Sequence, residues 1–225
     1  ITAVTGPEQG HHGISTFIID KNTPGVTVGR DQPMMGLRGT SHVELFFEEV
    51  DLGPEHLLGE EGHGLMLALE TLGRIRLAQV CARAVGKASK ILQLSTEFAS
   101  QRTQFGQTLD QFQQIQQMLA DSAVEINAAR LAVLQTAWEA DQGKDVKARI
   151  SMAKVLASET LGRVADRGVQ IFGGLGYCKD LPMERYFRDS RIYRIYDGTS
   201  EIHRTVIAKA LSRGENSLLN LSLTS

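Results

Sequence analysis

The chain has 225 residues, of which 42% are hydrophobic and 22% are charged, an ordinary composition for a globular protein. Its formal net charge of −2 does not favour nucleic acid or an anionic membrane as a partner, and no apolar run approaches the roughly 20 residues that span a bilayer. The two cysteines, Cys81 and Cys178, form neither a metal motif nor a disulfide framework, which suits a reducing cytoplasm or an organelle matrix.

The first 59 residues have the pattern of β structure. Gly13–Asp20 predicts a strand followed by a turn, Val26–Val28 predicts a second strand, and the alternation over Val43–Glu48 predicts a half-buried third. The chain begins at Ile1, without a methionine, in what we interpret as part of a sheet. We therefore expect a fragment of a longer protein.

Beyond Glu60 the apolar residues recur three or four positions apart, as on one face of a helix. Gly143 and the run Gly173–Gly176 are typical helix stops. The pattern predicts a mainly α fold in which long helices joined by short loops form an antiparallel up-down bundle. We expect a β part at 1–59, a bundle at 60–225 with a loose tail at 215–225, and helices at about 61–101, 109–141, 145–172, 182–190 and 199–213.

Two segments between the predicted helices carry residue types that suit phosphate binding. Arg102 precedes Phe105-Gly106, and an arginine there can bind a phosphate in a bidentate manner. From this segment alone, however, the favoured interpretation is a surface arginine that caps the C-terminus of a helix. The glycines at 173, 174 and 176 permit a ligand to approach the backbone closely, although they can equally end a helix, and no strand precedes them as a dinucleotide fingerprint requires.

A third segment places Asp197 beside Gly198, directly before a predicted helix that Thr199 or Ser200 can cap. An acid in such a loop can act in catalysis, but it can also simply form a turn. Local sequence leaves both readings open. The histidines show no metal-ligand spacing, and we expect all of them on the surface or in loops: His11, His12, His42, His56, His63 and His203.

Taken together and in order, these segments resemble the acyl-CoA dehydrogenase family over nearly the whole chain. The resemblance covers 36–41, 43–50, 58–64, Arg102-x-x-Phe105-Gly106, Gln113-x-x-Gln116, Gln170–Gly174 and Tyr196–Ile202. It implies a three-domain subunit with a helical N-terminal domain, a middle β domain and a C-terminal four-helix bundle. This chain would hold the end of the second domain and the third.

The resemblance also implies FAD as the cofactor and a role for each of the quoted segments. Arg102, Gln104 and Phe105 would approach the pyrophosphate and adenosine side of FAD, with Gln113 nearby. A neighbouring subunit's FAD would be reached by Gln170, Ile171, Phe172, Gly173 and Gly174. Thr199, Ser200 and Glu201 would lie near the same cofactor. The resemblance further implies a dimer of dimers, with electron-transferring flavoprotein as the electron acceptor.

By resemblance, Asp197 is the base that takes the α proton of an acyl-CoA, while a hydride leaves the β carbon and a trans-2-enoyl-CoA forms. The backbone N–H of residue 197 would bind the thioester carbonyl, and Arg76 and Gly198 would contact the substrate. The chain departs here from the commonest pattern, which has glutamate before Gly198, so the carboxylate reach is shorter by roughly 1.3–1.5 Å. The family's other base position corresponds to Arg76, which cannot accept a proton.

Two alternatives remain open at this point. One is an acyl-CoA oxidase or a non-dehydrogenating relative, and the other is a non-catalytic helical assembly module. The alanine-rich helix faces suit both core packing and subunit contact.

Overall fold

The computed structural model describes residues 1–214, with residue 74 described by its backbone alone. The chain divides into two compact units, Ile1–Arg74 and Ile75–Ser225. The tail 215–225 lies outside the described residues, so its expected looseness stays a prediction. No helix within 1–214 is both long enough and apolar enough to cross a membrane.

The first unit contains two antiparallel strand pairs. Their bounds are β1 Thr2–Val4 with β2 Ile14–Thr16, and β3 Val26–Asp31 with β4 Val43–Phe47. The strand predicted over Gly13–Asp20 is wrong beyond Thr16: Phe17 makes only an isolated bridge to Leu57. The half-buried pattern predicted for β4 is also wrong, because all five of its residues are exposed. Within residues 1–214 no third strand pairs with β3 or β4, and no residue of β4 is buried.

The second unit is helical, as the sequence predicts. The helices are α1 Gly64–Ile75, which leads into this unit, α2 Arg83–Gln101, α3 Gln113–Asp141, α4 Lys147–Phe172, α5 Gly174–Tyr177, α6 Met183–Arg191 and α7 Ser200–Ser212. The segment that joins α1 to α2, Arg76–Ala82, is π-helical. Such turns are rare and are found frequently at functional sites.

Ion pairs and ring contacts give the directions of the three long helices. Glu139 near the end of α3 binds Arg149 near the start of α4, whereas Glu125, nearer the start of α3, binds Arg163, nearer the end of α4. The two helices are therefore antiparallel. Helices α2 and α4 run in the same direction, since the ring of Phe98 near the end of α2 stacks on Phe172 at the end of α4. This is the expected up-down arrangement.

The core lies mainly among the π-helical segment, α2, α3 and α4, and many of its buried side chains are alanines. Ala84, Ala129, Ala153 and Ala157 are almost fully buried, which permits the helices to approach closely. Gly168 on α4 also permits a close approach, since a Cβ there would lie 2.7 Å from Ile91 on α2.

Two glycine stops are confirmed, and one helix start is wrong. Helix α3 ends just before Gly143, and α4 ends at Phe172, before Gly173 with a φ of +59°. The helix expected from residue 109 begins instead at Gln113. The preceding residues form a small hairpin, β5 Thr103–Gln104 with β6 Gln107–Thr108, and then a 3₁₀ turn over Leu109–Gln111. Residues 105 and 106 both have positive φ, the conformation of a tight hairpin turn.

Candidate functional site

A strained two-residue turn connects the α6 region to α7. Asp197 and Gly198 have φ angles of +54° and +93°, in the left-handed region. Aspartate tolerates that region better than most residues because its short side chain is polar, but it still costs free energy. Thr199 then caps α7, its hydroxyl accepting a hydrogen bond from the Ile202 amide at 3.2 Å. The predicted N-cap is therefore confirmed at Thr199.

Three side chains hold this turn by its backbone carbonyls. The Asp197 carbonyl accepts hydrogen bonds from Nε of Arg76 at 2.6 Å and from Nε2 of His203 at 3.1 Å. The Gly198 carbonyl accepts one from Nζ of Lys154 at 2.6 Å. Arg76 opens the π-helical segment, Lys154 lies on α4 and His203 on α7. Three separate elements thus fix two consecutive peptide planes.

Lys154 is fully buried within the bundle. Burial lowers the pKa of its ammonium group, and the buried thiol of Cys81 beside it has its pKa raised to about 12 by the same desolvation, with Lys154 opposing that rise. The Cys81 thiol is therefore neutral. No carboxylate pairs with Lys154 among residues 1–214, so the Gly198 carbonyl is the partner of its ammonium group.

His203 is almost fully buried, which corrects its expected place on the surface or in a loop. Its Nε2 must carry the hydrogen, because the Asp197 carbonyl can only accept. Burial lowers the pKa of the imidazole, and Lys154 and Arg76 add to the effect, against the hydrogen bond to Asp197. A neutral ring then accepts from the Ser151 hydroxyl at Nδ1, at 3.0 Å. The Asp197 carbonyl therefore selects this tautomer, since the Ser151 hydroxyl can either donate or accept.

The Asp197 side chain is only half-buried, and its carboxylate has neither a hydrogen bond nor an ion pair among the described residues. The amides of residues 197, 198 and 199 likewise have no partner there. The turn thus holds its carbonyls in place while its carboxylate and its amide donors remain available. An arrangement of this kind can remove a proton and stabilise the negative charge that results.

The predicted phosphate-binding segment around Arg102 is exposed. Arg102 directly follows α2 and, among the described residues, makes only backbone hydrogen bonds, to Phe98 and Leu109. Phe105 at the hairpin tip is 94% exposed and meets Phe112 edge-on, with ring centroids 6.5 Å apart. Gln104 and Gln113 are exposed as well. The guanidinium is therefore accessible to a phosphate from solvent.

The segment Gln170–Gly174 divides into buried and exposed parts. Ile171 and Phe172 belong to the core, so only their backbone is available to a ligand. Gln170, Gly173 and Gly174 are exposed, and a Cβ built on either glycine meets no atom within 4 Å. The backbone at the end of α4 is therefore open to close approach.

The predicted site residues form two groups within one chain. Phe98 and Phe172 stack at 4.2 Å, which brings the ends of α2 and α4, and so Arg102 and Gly173, to one end of the bundle. Lys154, which bonds the Asp197 turn, lies about 27 Å away from Phe172 along α4, at 1.5 Å per residue. The helical path from Arg76 to Phe98 gives a similar separation, about 33 Å at 1.5 Å per residue. The two groups therefore do not line one compact pocket in a single chain.

The remaining predicted residues lie at the start of α7. The Ser200 hydroxyl is buried and has no partner within 1–214. Glu201 is exposed, and hydrogen bonds from its own backbone amide and the Thr199 hydroxyl lower the pKa of its carboxyl group. Glu201 thus stabilises the helix start, whether or not a ligand is present. Among the described residues no His, Cys, Asp or Glu cluster of three or more suits a metal.

Sequence reasoning missed Lys154, His203 and Ser151. Lys154 carried a usable signal, because it interrupts the apolar stripe of α4 at helical spacing from Ile150 and Ala157. His203 lies one turn after the Thr199 cap, on the side of α7 that faces the turn. Without the fold, nothing indicated that either residue meets Asp197.

The family model for the acyl-CoA dehydrogenase C-terminal domain matches residues 62–212. An acyl-CoA dehydrogenase of Bacillus subtilis is 43% identical over 214 residues, covering 94% of this chain and 56% of the relative. The solved structure of butyryl-CoA dehydrogenase from Megasphaera elsdenii has a TM-score of 0.90 at 40% identity, covering 94% of this chain and 55% of that one.

A chain in a solved structure of the electron transferring flavoprotein of Acidaminococcus fermentans has a TM-score of 0.90 at 41% identity, covering 95% of this chain and 56% of that one. The present chain thus spans about half the length of the relatives it matches.

Proposed function

This chain belongs to the acyl-CoA dehydrogenase family, and on that premise we propose that it carries the catalytic base of a flavin-dependent enzyme that oxidises an acyl-CoA thioester to the trans-2-enoyl-CoA. The observation that supports the proposal most is the free carboxylate of Asp197 on a turn whose carbonyls are held from three elements. A base needs a fixed position and an open acceptor, and this turn offers both.

The α proton of the thioester passes to a carboxylate oxygen of Asp197. The unpartnered amides of the turn are available to the thioester carbonyl, where negative charge develops as the proton leaves. Arg76 and Lys154 add positive charge behind the turn and favour that charge further. When bound, FAD supplies the hydride acceptor for the β carbon.

The residues that would hold FAD fit its pyrophosphate. Arg102 offers an exposed guanidinium without a side-chain partner among the described residues, which suits a bidentate phosphate contact. Gly173 and Gly174 offer open backbone beside it at the same end of the bundle. Gln104, Phe105, Gln113 and Gln170 would complete this contact, and Thr199, Ser200 and Glu201 would lie on the cofactor side of the Asp197 turn.

A homo-oligomer, as a dimer of dimers, belongs to the same proposal. The separation of about 30 Å between the Arg102 end and the Asp197 turn supports it, because the phosphate-binding end of one chain would then serve the flavin facing another chain's base. An exposed apolar stripe on α3 supports it too, with Val124, Leu131, Leu134 and Trp138 all more than half exposed.

We further propose 1–59 as the end of a middle β domain and 60–225 as the C-terminal bundle. Electron-transferring flavoprotein is the proposed acceptor, since a structure of such a protein contains a chain of this fold. The proposed location is the bacterial cytoplasm or an organelle matrix.

The test is anaerobic bleaching of the bound flavin in the holoenzyme by a panel of acyl-CoA thioesters. Bleaching with formation of the enoyl-CoA, followed by slow reoxidation in air, supports the dehydrogenase. Rapid reoxidation by oxygen points instead to an oxidase. A protein that binds FAD but is bleached by no thioester contradicts the proposal.

A further inference from the structure

The Asp197–Gly198 turn accepts more side-chain hydrogen bonds than a turn with a glycine and a helix cap needs in order to form. The positive φ of Asp197 is costly to maintain, and such a conformation at a residue other than glycine persists only where its surroundings determine it. Here the surroundings are a buried lysine and a buried histidine that both donate to the turn's carbonyls.

Burial makes these two contacts informative. A lysine ammonium with no carboxylate partner is expensive in a protein interior, and hydrophobic side chains of the same volume usually serve stability as well or better. Lys154 nevertheless lies within the apolar stripe of α4, 0% exposed, and its ammonium reaches the Gly198 carbonyl at 2.6 Å. Core packing alone does not account for that residue at that position.

The geometry of the peptide links the carbonyls to the amides on the other side. A peptide bond is planar and trans, so its N–H points opposite to its C=O. With the Asp197 carbonyl held by His203 and Arg76, the Gly198 amide faces away from them, and with the Gly198 carbonyl held by Lys154, the Thr199 amide does likewise. Both amides lack a partner within the described residues.

From these contacts we propose that Lys154 and His203 are positioning residues: they hold the Asp197–Gly198 turn by its carbonyls, and so fix the carboxylate and the free amides toward the acyl thioester. Ser151 supports the arrangement through its hydrogen bond with Nδ1 of His203. The proposal rests on the proposed function for its catalytic consequence. Its structural part, that the two side chains fix the turn, stands independently.

A matched pair of variants at His203 distinguishes a donor at the position of Nε2 from a donor at the position of Nδ1. The amide nitrogen of glutamine reaches about as far as imidazole Nε2 and can donate to the Asp197 carbonyl, whereas that of asparagine reaches only as far as Nδ1. His203→Asn is expected to lower the rate of flavin reduction by about 10–100-fold, because misplacing a reacting group by about 1 Å costs about that much. His203→Gln restores most of the loss.

Lys154→Met tests the second contact with a side chain of similar volume and no donor. The same loss in the rate of flavin reduction is expected, with thermal stability unchanged or higher, since a buried charge is removed. Lys147→Met on the same helix is the matched control, because the Lys147 ammonium is exposed and lies 3.8 Å from Asp145 rather than on the turn. This control is expected to reduce its flavin at the parent rate.

Amide hydrogen exchange at Ile195, Tyr196 and Ile202, whose amides are hydrogen-bonded on either side of the turn, is measured without substrate and gives a readout that does not depend on turnover. Exchange is expected to accelerate in His203→Asn and Lys154→Met, and to stay close to the parent value in His203→Gln and Lys147→Met. Unchanged exchange and unchanged flavin reduction in both His203→Asn and Lys154→Met overturn the proposal. If no thioester bleaches the parent protein, the proposed function fails, and exchange alone decides whether these residues hold the turn.

Discussion

Replacing Gly198 with alanine tests the packing of the turn in a way that the structure makes quantitative. At a φ of +93° any residue with a Cβ is strained, at about 1–2 kcal/mol. The new Cβ would also lie 2.9 Å from Nε2 of His203. His203 must then move, and its hydrogen bond to Asp197, worth about 0.5–1.5 kcal/mol, is weakened or lost.

The expected loss in the free energy of unfolding for Gly198→Ala is therefore about 1.5–3.5 kcal/mol, the sum of strain and the lost hydrogen bond. Gly143→Ala is the matched control, since Gly143 also has a positive φ, +72°, but a Cβ there meets nothing within 4 Å. The control is expected to lose only the strain, about 1–2 kcal/mol.

Urea unfolding followed by circular dichroism measures both changes, and a double-mutant cycle with His203→Ala isolates the contact. In the His203→Ala background the cost of Gly198→Ala should fall to that of Gly143→Ala. Equal costs for Gly198→Ala and Gly143→Ala in the parent protein would refute the reasoning, because the His203 ring would then not lie against the turn.

Three further predictions concern the cofactor, the assembly and pH. Arg102→Ala should weaken FAD binding about 10–100-fold with the fold intact, because a charge-assisted phosphate contact is worth about 1.5–3 kcal/mol. Arg185→Ala, at an exposed arginine on α6, should leave FAD binding unchanged. Equal FAD affinities of the two variants, measured by flavin fluorescence titration, would count against Arg102. Leu131→Glu on the apolar stripe of α3 should reduce the mass of the assembly measured by light scattering, whereas Gln114→Glu at an exposed polar position should leave that mass unchanged. An unaltered mass for both variants would show that the stripe is not part of the interface. The pKa of His203 in the folded protein lies below its usual 6.5, so the unfolded chain binds the proton first as pH falls. The free energy of unfolding therefore decreases as pH falls below 6.5, and the decrease stops once His203 is protonated in the folded protein as well. Lys154, Arg76 and Asp197 are the charged groups around that ring, and urea unfolding at several pH values should show a smaller loss in His203→Gln; an identical pH dependence would contradict the assignment.

The helical half of the fold was predictable because its apolar residues repeat at helical spacing and glycines stop the helices where backbone strain requires them. Gly143 and Gly173 mark the ends of α3 and α4 correctly. The β part was less predictable. Alternation over β4 indicates that one face is to be covered, but it does not say what covers it, and in this chain β4 stays exposed.

The site was predictable only in part, for a similar reason. Asp197, Gly198 and the Thr199 cap are local features that a short motif contains. The contacts of Arg76, Lys154 and His203 with that motif are made through the fold: Arg76 precedes Asp197 by more than a hundred residues along the chain. A lysine in an apolar stripe signals an unusual role, yet only packing shows which carbonyl it meets.

The central claim is that Asp197 removes the α proton, and the rate of anaerobic flavin bleaching by a preferred acyl-CoA in the holoenzyme of Asp197→Asn tests it most directly. Asparagine has nearly the same shape but cannot accept the proton, so FAD content should be unchanged while the rate falls by at least about 100-fold. Asp197→Glu, which restores the longer reach common in the family, should keep measurable activity, and Glu201→Gln should affect FAD affinity more than proton transfer. Bleaching of Asp197→Asn at the parent rate would contradict the account.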